Sequence, residues 1–141
     1  LVKNKMVFTM VIILLSILII GIVALIVYFK LDNQPSGEPT IDEIVESTWQ
    51  TEEITTNLND SHIIRIQFKI QLDNKKAKEE IEKRDFQVNN IIINELSNMK
   101  AEDFNEKGSL TSLEDRLQQQ INELLSDGEV TKVYTIQKII Q

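Results

Sequence analysis

His62-Ile63-Ile64-Arg65-Ile66-Gln67-Phe68-Lys69-Ile70-Gln71-Leu72 places apolar side chains at 64, 66, 68, 70 and 72, in strict alternation with Arg65, Gln67, Lys69 and Gln71. A period of two is that of a strand with one face on a core and the other in water. Asp73-Asn74 then offers an N-cap, and the apolar spacing turns helical at Ala77, Ile81, Val88, Ile92, Leu96 and Met99. A half-buried strand feeding a long amphipathic helix makes the class mixed α and β.

Downstream, the first half of that helix carries i,i+4 pairs of opposite charge, Lys75/Glu79, Lys76/Glu80, Lys78/Glu82, Glu79/Lys83 and Glu80/Arg84, which support a solvated face. Phe86, Ile91 and Ile93 widen the stripe in the second half, so packing on more than one side is expected there. Asn105 to Ser109, with Gly108, breaks the helix. A second one follows through Leu110, Leu113, Leu117, Ile121, Leu124 and Leu125, opened by a Thr111-Ser112-Leu113-Glu114 capping box or by Ser109, and stopped at Asp127-Gly128. Val130 to Gln141 is β-branched with apolar residues on both alternating faces, the pattern of a central or twice-covered strand.

Upstream, Thr48 to Leu58 reads as a first strand with Trp49, Ile54 and Leu58 as its apolar members, and Asn57 to Ser61 as a turn. Ile41 to Val45 fits a short helix or a strand. The order strand, strand, helix, helix, strand buries every stripe as a two-layer α+β sandwich with both helices on one face of the sheet.

Met6 to Phe29 is an uncharged run of 24 residues dominated by Ile, Leu and Val, and roughly 20 such residues span a hydrocarbon core as a helix. A cleavable signal would have a shorter apolar region of about 7 to 15 residues and a small-x-small site, whereas Gly21 and Ala24 lie inside the run. The helix is therefore expected to stay attached. Lys3, Lys5 and the terminal amine precede it, and after Lys30 the next Lys or Arg is Arg65. The positive-inside rule puts the N-terminus in the cytoplasm and the domain outside. Leu1 leaves open a non-Met start or a chain lacking its first residues. The expected organisation is a cytoplasmic tail over 1–5, a transmembrane helix over 6–29, an acidic linker over 30–47 and an extracytoplasmic domain over 48–141. Ten linker residues, Leu31 to Thr40, include both prolines and as a flexible coil reach roughly 17 Å.

The net charge is −7, and lysines 3, 5 and 30 lie at the helix, so residues 31–141 carry −10. Such a balance argues against nucleic acid and anionic lipid as partners, because phosphate binding needs clustered Lys and Arg. Without cysteine, disulfides and thiolate–metal sites are impossible. About 95 residues remain for one small domain.

Catalytic, cofactor-binding and metal-binding residues are all expected to be absent. His62 is the sole histidine and stands without a supporting motif; a partly exposed His at a strand start is the simpler reading. The pairs Asp42/Glu43, Glu52/Glu53 and Glu79/Glu80 read as solvated charge, since general acid–base work needs burial or a like-charge site to shift a pKa. Glycines 21, 37, 108 and 128 are too dispersed to cradle a phosphate. Trp49 reads as a core anchor, with an interface role as the alternative.

Arg65-Ile66-Gln67-Phe68, then Lys83 to Ile93 with Leu96-Ser97, Lys100-Ala101-Glu102-Asp103-Phe104, Gly108 and a terminal Val133-Tyr134 segment resemble the FliL family of flagellar basal-body proteins. The resemblance implies one N-terminal membrane helix and an extracytoplasmic α+β domain similar to stomatin/prohibitin-type domains. It implies no enzyme activity or cofactor, but association with the basal body and the MotA/MotB stator in support of rotation, swimming or swarming, with self-association into rings. Thr135-Ile136-Gln137-Lys138 departs from an aromatic-Thr-acidic pattern common in the family. The alternative is a membrane-anchored extracytoplasmic sensor or ligand-binding domain.

Overall fold

The computed structural model describes residues 2–32 and 37–141, and the chain divides into two compact units, Leu1–Pro39 and Thr40–Gln141. Residues 33–36 of the expected linker, and Leu1, lie outside the described residues.

The first unit is one helix, α1 (Val2–Asp32), extending past both ends of the apolar run. Its side chains from Met6 to Leu31 are exposed on every side, and Lys3–Leu31 is long and apolar enough to cross a membrane. A helix of this length that is apolar on every side has the character of one able to span a hydrocarbon core.

The second unit begins with a short helix, α2 (Ile41–Glu46), which resolves the helix-or-strand alternative. The Thr40 hydroxyl accepts from the Glu43 N–H at 3.3 Å and the Glu43 carboxylate accepts from the Thr40 N–H at 2.8 Å, a reciprocal capping box. Then come β1 (Thr48–Gln50), β2 (Ile54–Asn57), β3 (Ile63–Leu72), α3 (Lys75–Lys83), α4 (Asp85–Ser97), a 3-10 turn (Ala101–Asn105), α5 (Ser109–Asn122) and β4 (Val130–Ile140). The sheet is antiparallel. β3 is its centre, with β1 and β2 end to end along one side and β4 along the other.

Even-numbered β3 residues from Ile64 to Leu72 are buried together with Ala77, Ile81, Val88, Ile92, Leu96, Leu113, Leu117 and Ile121. The alternation and both helical stripes thus meet in one core, as periods of 2 and 3.6 require.

Several expectations need correction. The first strand is broken: Trp49 and Gln50 face Ile70 and Lys69, but Ile54 faces Ile66, so one extra residue sits at Glu52-Glu53. Phe68 N–H donates to the Thr51 hydroxyl at 3.1 Å while Phe68 C=O accepts from Thr51 N–H at 3.0 Å. A side chain standing in for a backbone acceptor lets the ladder step out of register there. The observed order accordingly has three strands before the helices.

The long helix is also two, because Arg84 (φ −101°, ψ 18°) ends α3 and opens α4. The apolar stripe skips from Ile81 to Val88, and Asp85 accepts from the Phe86 N–H at 2.6 Å, a local bond that competes with helix continuation. In place of packing on several sides, α4 buries Val88, Ile92 and Leu96 and leaves Phe86 67% exposed.

Finally, β4 is an edge strand, neither central nor twice covered. Ile136 and Thr131 are extra residues opposite Gln67/Phe68 and Gln71/Leu72. These two bulges shift the side-chain phase, turning Val130 and Val133 inward while Tyr134 and Ile139 stay exposed. Apolar residues do lie on both faces of β4, but the bulges, invisible in sequence, change which ones share a face: Val130 and Val133 face inward, opposite Leu72 and Ile70, and Tyr134 and Ile139 outward, opposite Lys69 and Arg65.

Asn74 caps α3 by accepting from the Ala77 N–H at 2.8 Å. α5 starts at Ser109 behind Gly108 (φ 82°), and neither proposed side-chain cap is used. It ends at Asn122, and Gly128 (φ 81°) serves the turn into β4 instead. A Cβ on Gly128 would lie 2.7 Å from Asp73 Oδ1 and 2.8 Å from Ala77 Cβ. Gly128→Ala should therefore cost about 1–3 kcal/mol from overpacking and left-handed strain, measured by urea denaturation, whereas Gly108→Ala, with open space at its Cβ, carries the strain alone.

Candidate functional site

His62 lies just before β3 with its side chain 51% exposed, its Nδ1 3.0 Å from Asp60 Oδ1. The other Asp60 oxygen accepts from the Ala101 N–H at 2.9 Å. This arrangement ties the β2–β3 turn to the start of the 3-10 turn, and offers His62 no nucleophile to activate. The Ala101 N–H, followed by the His62 contacts, holds the Asp60 carboxyl below its ordinary value. A carboxylate depressed in the folded state adds stability above its unfolded pKa and loses it as pH falls through the folded one. Asp60→Asn should therefore flatten the fall in stability on acidification below about pH 4, read from urea midpoints across that range.

The three carboxylate pairs do not converge. Glu43 caps α2, and Glu53 holds Arg65 at 3.3 Å and accepts from Gln137 Nε2 at 2.8 Å. Glu80 takes Arg84 at 3.0 Å and the Ser126 N–H at 3.1 Å; burial raises its pKa, but these donors win and lower it. Of the expected helix pairs, Lys78–Glu82 and Glu80–Arg84 form, while Lys75 turns to Glu46 at 3.0 Å. Among the described residues there is no group of three or more His, Cys, Asp or Glu side chains able to hold a metal.

Trp49 is partly buried against the core. Grooves of about 250 Å³ beside α5 and 370 Å³ beside α3 are lined mostly by charged and polar side chains, unlike the apolar lining of ligand pockets. What the domain offers is surface. On α4, Phe86 and Ile93 lie seven residues apart on one exposed side. On the uncovered face of the sheet, Arg65, Lys69 and Lys132 stand in register with Ile139, Tyr134 and Gln71, and these six positions include no acidic residue. Glu53 reaches this face to pair with Arg65, which leaves Lys69 and Lys132 as the cations there without an ion-pair partner among the described residues, a local balance that composition cannot show.

Residues 48–141 match the family model described as flagellar basal body-associated protein FliL. The chain belongs to the FliL family. It is similar to the flagellar protein FliL of Bacillus subtilis (strain 168), 40% identical over 110 residues that cover 76% of this chain and 79% of that protein. FliL is a family of flagellar structural or accessory proteins and not a known enzyme family. The FliL match covers β1 to β4, while α1, whose length and apolarity suggest a membrane anchor, lies before it.

Proposed function

We propose that this protein is a single-pass scaffold of the flagellar motor, anchored by α1, whose domain associates with copies of itself and with MotA/MotB-like stator subunits to support rotation. The observation that carries this reading is α1: a helix apolar on every side, attached to a domain of the basal-body family. Lys3 and Lys5 before the helix favour a cytoplasmic N-terminus and an extracytoplasmic domain. Between the end of α1 at Asp32 and the Thr40 cap of α2 lie residues 33–39, whose covalent reach is at most about 25 Å. Confinement near the membrane raises effective concentration, so weak contacts suffice for assembly. The family resemblance adds a kinship with stomatin/prohibitin-type domains, and Phe86 and Ile93 supply apolar surface for lateral contact.

Affinity capture of the full chain from membranes, with in-cell crosslinking in parallel, tests this. Stator subunits and chain–chain adducts are expected together. Recovery of neither would refute the scaffold. A tethered hydrolase centred on His62 would lose function in His62→Ala, whereas the scaffold keeps motility unchanged.

A further inference from the structure

An eleven-residue edge strand exposes a row of backbone donors and acceptors, which proteins ordinarily cover or blunt. Here α5 covers part of it. Asn122, Gln118 and Glu114, spaced four residues apart on one side of the helix, reach over the free edge of β4 in turn. Asn122 Oδ1 accepts from the Val130 N–H at 2.6 Å, Gln118 Nε2 donates to the Val130 and Thr131 carbonyls at 3.1 and 3.3 Å, and Glu114 Oε1 accepts from the Thr135 N–H at 2.9 Å. The next position back along this side of α5 is Leu110, which has no polar group to continue the series.

Beyond Thr135 no described residue bonds the outer edge of β4. The Gln141 N–H and C=O both bond Ile63, at 2.9 Å each, and Ile139 and Gln137 face Arg65 and Gln67. By the alternation of an antiparallel ladder, the backbone groups of Lys138 and Ile140 point away from β3. Ile136 is 44% and Ile139 42% exposed, so apolar side chains flank the open groups. Lys138 Nζ sits 5.4 Å from the Phe104 ring centroid, a cation held beside the edge.

The geometry points to this segment, Ile136–Ile140, as an acceptor for an extended acidic segment of a partner protein, added to the sheet as a further strand. Charge selects the occupant. β4 contains Lys132 and Lys138 and no acidic residue, and the adjoining sheet face carries Lys69 beside the Arg65–Glu53 pair. A second copy's β4 centred on Lys138 would set two lysines directly opposite, which is destabilising. Centred on Ile139 it would set Lys138 opposite Ile140, with no acidic residue of β4 to meet either lysine. A partner strand alternating β-branched and acidic residues meets both the backbone row and the lysine. The inference goes beyond the scaffold reading and does not depend on it.

The test uses the full chain in neutral-lipid nanodiscs and a blocked eight-residue peptide of alternating Glu and Val. Hydrogen exchange is expected to show the Lys138 and Ile140 amides exchanging fast in the free chain and slowed at least tenfold by the peptide. N-methylation of alternate peptide amides should abolish binding, Lys138→Glu should weaken it at least tenfold, and a Lys-for-Glu peptide should fail to bind. Because Lys138→Glu also removes the contact with Phe104, Ile136→Pro, which blunts the edge at its bulge, serves as a second variant with the same expected loss. Absence of binding, protection located elsewhere, or indifference to N-methylation overturns the proposal. Protection that appears on concentrating the chain alone overturns it too, by making a second copy the occupant.

Discussion

Phe68→Ala is expected to remove about 3–5 kcal/mol from the stability of the domain, the cost of emptying a fully buried aromatic site. Phe68 lies at the middle of β3 with no exposed surface, and its backbone is clasped by Thr51 on one side. Small domains carry only about 5–15 kcal/mol in total, so the midpoint of thermal unfolding should fall by roughly 15–30 °C. Trp49, the sole tryptophan and partly buried, reports urea unfolding of residues 40–141 by fluorescence. The comparison is Phe86→Ala, the same deletion at an exposed site, expected within about 0.5 kcal/mol of the parent. Equal losses from both would show that burial is assigned wrongly.

Freeing the domain from α1 is expected to reduce swimming to that of cells lacking the protein, while leaving the domain folded. Residues 40–141 form a compact unit, and the buried core runs from Ile54 to Val133 within it. The tether supplies effective concentration, commonly worth 10² to 10⁴ in avidity. A version of 40–141 exported by a cleavable signal peptide separates loss of tethering from loss of export. In a motile strain with its own copy deleted, the full chain should restore the swim ring and the exported domain should not, at matched levels. Full restoration by the free domain would remove the tether from the mechanism.

The corrections to the fold concern single residues that interrupt a regular period. At Glu52-Glu53, Thr131 and Ile136 a strand takes in one residue more than its partner, and at Arg84 a helix restarts. The strand irregularities depend on what lies opposite, as with Thr51 on the backbone of Phe68, whereas the restart at Arg84 coincides with the local Asp85 bond to the Phe86 N–H and with Glu80, which holds both Arg84 and the distant Ser126. No periodicity within a single segment encodes such a neighbour. The polar series Glu114, Gln118, Asn122 was visible as a helix face, but its target, the edge of a strand that follows it, was not.

Local order and lipid preference were written in the residues themselves, because periods of two and of 3.6, an uncharged apolar run and a left-handed glycine act through near neighbours and solvent. They establish β3, the buried stripes of the helices, the membrane-spanning capacity of α1 and the mixed class, and the order of motifs carries the family. Tertiary structure alone decided which strand is central, which apolar residues stay in water, how charge is paired on the uncovered face of the sheet and how far α5 covers the edge of β4. Those properties depend on register between segments distant in sequence, and one bulge reverses the side of the sheet that every later side chain faces.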